Sequence, residues 1–202
     1  MNSIAFIDTE IETNSGKILD IGSIKYDGTS FHSNSITDFI KFLSGTQFVC
    51  GHNIINHDLQ YIQKAITNAK VNSDNIIDTL FLSPLLFPTK PYHGLLKDDK
   101  LQTEDANNSI KAKDLFFDEV SVFNQTDEKL KQIFYLLLKD KKEFHSFFRY
   151  IAYTSSDTQT EKIIREKFAS VICEHADIPK ITSENPIELA YCLALINCNN
   201  RY

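Results

Sequence analysis

Asp8 and Glu10 stand two residues apart in the stretch FIDTEIE (residues 6–12), and Glu12 follows two further on. On a strand that spacing directs the side chains to one face. Carboxylates so close repel, and without a cation between them at least one would take up a proton. A third acid, Asp58, comes in the stretch GHNIINHDLQYI (residues 51–62). There an apolar strand gives way to His52-Asn53, and the Asp opens a helix, where negative charge is favoured. Hard oxygen donors of this kind suit Mg²⁺ or Mn²⁺. Glu12 is expected to face solvent beyond the strand.

These acids need a scaffold. Ile4–Asp8 reads as a strand, Ile18–Tyr26 as a second, Asp27-Gly28 as a hairpin turn and Ser30–Asn34 as a third strand. Ile36, Phe39, Ile40 and Leu43 recur at helical spacing and stop at Gly45. Phe48–Gly51 reads as a short buried strand and Asp58–Ala69 as a helix with Asn56 as its cap. Asn75–Thr79 reads as another strand, and Leu80–Leu86 as a helix closed by Pro88. This order predicts an α/β fold with a mixed sheet. Asp78 is expected to hold its own loop rather than a metal. Residues 89–108 are polar and broken, with room for one short helix around Leu95.

After Ser109 the strand signals cease. Amphipathic helices are predicted around Leu130–Leu137, Phe144–Ile151 and Ile164–Ile172, the last with Thr158 and Glu161 as a capping box. A final helix opens at Asn185-Pro186-Ile187-Glu188. The expected organisation is therefore an α/β unit over residues 1–120 and an all-helical segment over 121–202. Ending at Asn199–Tyr202, in or just after that last helix, the chain reads as a piece of a longer polypeptide.

Net charge is -6, with 42% hydrophobic and 24% charged residues over 202 positions. No basic run marks a strong, independent nucleic-acid binder. Bound cations neutralise acidic sites locally, so a nuclease remains compatible with this balance. Cys50, Cys173, Cys192 and Cys198 are scattered with no C-x-x-C, which predicts reduced, mostly buried thiols in a cytoplasmic protein. MNSIAFID lacks the features of a signal peptide, and the apolar runs are too short for a membrane span. No phosphate-binding glycine loop and no Gly-x-Ser-x-Gly is present.

FIDTE resembles the first motif of the DEDD (DnaQ-like) 3'→5' exonucleases, and GHNIINHDLQYI resembles their second, in the form seen in proofreading domains of B-family DNA polymerases. An aromatic usually stands there in place of His57. IIDTLFLSPLLFP (residues 76–88) resembles the strand and helix that follow. Residues 1–120 as a whole resemble the exonuclease domain at the N-terminus of some large bacterial RecQ-like helicases. The resemblance implies a ribonuclease-H-like mixed sheet with flanking helices, and a DNA 3' end, single-stranded or recessed, as substrate. A helicase module on the same polypeptide is the implied partner.

It further implies catalysis by two ions, Mg²⁺ or Mn²⁺, that stabilise the attacking and leaving oxygens of a phosphodiester displacement. Asp8 would bridge both ions. Glu10 would hold one and position the attacking water, and Asp58 would hold the second. Thr9, Asn53 and His57, inside the two motifs, are the candidates for touching the substrate, with His52 and His57 otherwise read as supports.

The family needs a fourth acid on a late helix, preceded by a His or Tyr as general base. In the helicase-linked relatives an Asn-Asn pair precedes that Asp by a few residues. Here Asn107-Asn108 leads to Ala112 at the expected place. Three accounts compete: a degenerate, inactive nuclease; Asp114 as substitute metal ligand; or residues missing between Asn108 and Ser109. Asn107 stands near the family's base and cannot take a proton. His93 is the remaining candidate base, though it reads more readily as a loop histidine. Two rivals stand beside the exonuclease: a nuclease-fold module that only binds nucleic acid or a partner, and a protein-interaction role for residues 121–202.

Overall fold

The computed structural model describes residues 2–95 and 107–199. Five strands form one mixed sheet: β1 (Ile4–Ile11), β2 (Ile18–Lys25), β3 (Ser30–Ser33), β4 (Phe48–Gly51) and β5 (Ile76–Asp78), in the order β3-β2-β1-β4-β5. β2 runs antiparallel to both β1 and β3, and β4 and β5 run parallel to β1. Helices flank the sheet: α1 (Ile36–Phe42), α2 (Leu59–Asn68), α3 (Thr79–Leu86) and α4 (Asn107–Gln125). Five more follow: α5 (Glu128–Leu138), α6 (His145–Tyr150), α7 (Thr160–Lys167), α8 (Ile178–Glu184) and α9 (Pro186–Asn199).

Alternation along β1 assigns its two faces. Ile4 and Phe6 enter a core with β4, α3, α4 and the later helices, and Ala5 and Ile7 enter a second core with α1 and α2. Phe116 of α4 is fully buried against Phe6 of β1 and Phe147 and Tyr150 of the α6 region, with ring centroids 5.1–6.4 Å apart. Residue 120 thus falls inside α4, and one core holds side chains from both sides of it.

Phe48–Gly51 and the Asp27-Gly28 turn stand where the sequence puts them, Gly28 having φ 90°. β1 runs three residues beyond Asp8, with a register irregularity between Glu10 and Ile11. Asn56 does not cap α2. Its amide donates to Asn53 Oδ1 at 3.3 Å, and the cap position falls to Asp58. The Thr158–Glu161 capping box is also absent: Asp157 Oδ1 accepts from the Gln159 N–H at 2.8 Å, and Glu161 pairs with Arg165. This Asx turn starts the helix at a different place.

The third predicted helix stops at Lys167. No helix forms at Leu95, and residues 96–106 lie outside the described part. α4 runs unbroken through Asn108 and Ser109. Of the four free thiols only Cys50 is buried. Cys173 sits after the end of α7 and Cys192 on an outer face of α9, so the expectation of mostly buried cysteines is corrected. Among the described residues no helix is long and apolar enough to cross a membrane.

Candidate functional site

Asp8 and Glu10 share the parity of Ile4 and Phe6 and so lie on the α4 side of β1. Thr9 shares the parity of Ile7 and lies on the α2 side. β4 pairs with β1 only as far as Phe6, so the edge of β1 is open at Thr9. Asp58, at the start of α2, fills this gap. Its Oδ1 accepts from the Thr9 N–H at 2.9 Å and from the Thr9 hydroxyl at 2.6 Å. Asp58 is only 2% exposed. Burial pushes its carboxyl above the ordinary range, against the pull of the Thr9 hydrogen bonds and of His57, whose Nδ1 is 3.7 Å away.

The loop between β4 and α2 is held from below by Asp78. Its Oδ1 accepts from the N–H groups of Asn53 (2.8 Å) and Leu80 (2.9 Å), and its Oδ2 from that of Ile55 (3.0 Å). Asp78 therefore shapes the loop and is spent on backbone, as the sequence predicts. Asn53 takes a left-handed φ of 64°, which an Asn tolerates. Gly51 is required by close approach: a Cβ there would fall 2.8 Å from the Ile7 carbonyl and 2.9 Å from Ile54 Cβ.

These elements open onto a cleft of about 300 Å³ lined by Asp8, Glu10, Asp58, Asn53, His57 and Asn108, among others. Of the seven residues the sequence puts forward, Asp8, Thr9, Glu10, Asn53, His57 and Asp58 come together here. Asp114 does not: it is exposed on α4 and away from the cleft. It follows Asn108 by six positions, which turns it roughly 120° around the helix axis at 3.6 residues per turn. The helical residue that does reach the acids is Asn108, whose Nδ2 donates to Asp8 Oδ2 at 3.1 Å.

Asp20 of β2 stands opposite Glu10 across the ladder. Its carboxylate engages His32 Nδ1 at 3.1 Å instead of the cleft. His52 also lines the cleft. Its Nδ1 meets the Thr79 hydroxyl at 2.9 Å, its buried Nε2 has no hydrogen-bond partner among the described residues, and burial with His93 nearby brings its pKa down to about 4. It is a neutral imidazole at pH 7.

Sequence reasoning missed Asn108 as a contact of Asp8. The available signal was the Asn107-Asn108 pair at a helix start, read as a marker for an acid further on. Neither a protein-family model nor a curated protein matches this chain.

The three acids of the cleft, Asp8, Glu10 and Asp58, offer hard oxygen donors, and this chemistry fits Mg²⁺ or Mn²⁺. Among the described residues no three acidic, histidine or cysteine side chains stand together as a finished ion site.

Proposed function

We propose that this chain carries a metal-dependent 3'→5' exonuclease domain of the DEDD type, acting on DNA. The observation that carries the reading is that Asp8, Glu10 and Asp58, from two distant segments, line one cleft with the residues of both motifs around them. The strand order β3-β2-β1-β4-β5, with β2 antiparallel to β1, supports a ribonuclease-H-like arrangement. Mg²⁺ or Mn²⁺ held by Asp8, Glu10 and Asp58 would polarise the phosphodiester and lower the pKa of a bound water. Thr9 keeps Asp58 placed, Asp78 fixes the Asn53–Ile55 loop, and Asn53 and His57 sit at the cleft wall to meet the substrate. In a chain of net charge -6, affinity for DNA would come partly from bound cations and from a helicase module on the same polypeptide.

A second reading has a specific observation behind it. The α4 side chain that meets Asp8 is an amide, and Asp114 faces away, so a site needing four carboxylates is not met among the described residues. On this reading the fold binds nucleic acid or a partner without cutting. Digestion of 3'-labelled single-stranded and recessed DNA with Mn²⁺ or Mg²⁺ tests the choice. Release of label by the wild type and not by Asp8→Ala supports the exonuclease. Equal release by both marks a contaminant, and no release with retained DNA binding supports the binding module.

A further inference from the structure

Ala112, Phe116, Glu119 and Phe123 recur along α4 at spacings of four, three and four, which puts them on one face of the helix. All four are at most 1% exposed. Three suit a buried helical stripe, and the fourth is an acid. Asn108, four residues before Ala112, continues the same face outward and donates to Asp8. The acid is thus set into the face that presents the amide to the cleft.

Phe116 and Phe123 seat this stripe on Phe6 of β1 and on Phe147 and Phe148 of α6. Between them, neither oxygen of Glu119 has a hydrogen-bond partner among the described residues. The titratable and charged groups that face it are Cys50 of β4, Asp78 of β5, Lys90 of the loop after α3 and Asp118 of α4 itself. α3, which packs along α4, carries no titratable side chain, and Tyr150 of α6 interacts with Cys50. Asp78 is committed to three backbone N–H groups and repels a second charge. Burial keeps Cys50 a thiol. Lys90 attracts Glu119, but its ammonium lies over the Phe87 ring, 3.8 Å from the centroid. A neutral carboxyl is tolerated in this place, and burial drives Glu119 strongly toward that form. A carboxylate with no donor and a second acid beside it is not, and must move toward water.

We propose that Glu119 is a proton switch for α4. Neutral, it lets the stripe seat against β1 and β4 and keeps Asn108 on Asp8. Ionised, it lifts the stripe and withdraws the amide from Asp8. Acid and amide share one face of a single helix, so the displacement reaches the cleft without any contact between Glu119 and the acids there. The charge balance of the cleft is thereby tied to proton concentration through a group buried in the core. The switch needs only the fold and the Asn108–Asp8 contact, and does not depend on the nuclease reading.

Amide and carboxyl NMR of the isotope-labelled chain between pH 5 and 9 tests this. The Glu119 carboxyl carbon should titrate well above its ordinary pKa of 4.5. With the same midpoint, the Asn108 side-chain amide and the backbone amides of α4 should shift. Those of α2, which packs in the second core, should stay in place. Glu119→Gln keeps the shape of the side chain and cannot ionise, so it should abolish the α4 shifts. Glu119→Leu, which completes the apolar stripe, should do the same and serves where the Gln variant fails to fold. An Asn108 amide that stays in place while Glu119 titrates would overturn the switch, as would identical α4 shifts in the variants or a Glu119 carbon that does not titrate in this range. Loss of the folded α2 signals at the Glu119 midpoint would overturn it too, because ionisation would then unfold the chain. Digestion of DNA, or its absence, bears on the nuclease alone.

Discussion

Asn108 and Glu119 lie on one line along α4, three turns apart, and neither role could be read from residue type. An Asn at a helix start usually caps, but here its amide reaches Asp8. Asn108→Asp replaces that donor with a fourth carboxylate. Mn²⁺ affinity by titration calorimetry should rise about tenfold, and the metal-free protein should become less stable because like charges now face each other. Glu119 is 0% exposed and neither carboxylate oxygen has a hydrogen-bond partner among the described residues. Burial is the main cause of its raised pKa, with Asp78 and Asp118 adding to it and Lys90 opposing.

The folded state therefore keeps the Glu119 proton at pH values where the unfolded chain, with an ordinary pKa of 4.5, has lost it. Stability falls as pH rises above that point, by about 1.4 kcal/mol per unit for one group, until the folded pKa is reached. Asp58 and Asp78 are raised as well and contribute with the same sign. Urea denaturation of Glu119→Leu between pH 5 and 8 should show a shallower decline than the wild type. An identical slope would exclude Glu119 as its source.

Regular elements were legible where hydrophobic period and turn chemistry agree, as in Phe48–Gly51, the Asp27-Gly28 turn and the start of α9 at Pro186. They were less so where side chains choose among equivalent local bonds. Asn56 turned to Asn53, and Asp157 took the Gln159 N–H ahead of a capping box. The pairing of Asp8 with Glu10 followed from strand parity. The grip of Asp58 on Thr9 did not, because it depends on β4 ending early and exposing the edge of β1. At this scale Asp78 is the element to test. Asp78→Ala removes the acceptor of three backbone N–H groups and should cost about 3 kcal/mol by urea melts. Metal affinity should fall by roughly 10- to 100-fold, as expected when a group supporting the ligands is removed.

In the whole molecule, β1, β4, α3 and α4 share a core with α5 to α9. Ending the chain at residue 120 would uncover Phe6, Phe116 and their neighbours, a patch of the kind that drives aggregation. A 1–120 fragment should therefore lack a cooperative thermal transition, and a sharp one would show that the first half folds alone. α4 joins the two regions physically. From Phe123, packed against Phe147, Phe148 and Tyr153 with centroids 5.2–5.9 Å away, to Asn108 is roughly 22 Å at 1.5 Å per residue. Small shifts of this helix are magnified towards its outer end. A tilt of about 3° at its inner end swings the outer end by about 1 Å, enough to misplace a group at a reacting centre. Phe123→Ala, far from every acid of the cleft, should weaken Mn²⁺ binding as well as lower the melting temperature. The aromatic nest at the inner end of α4 and the Phe116–Phe6 contact midway along it together hold the helix that presents Asn108 to Asp8.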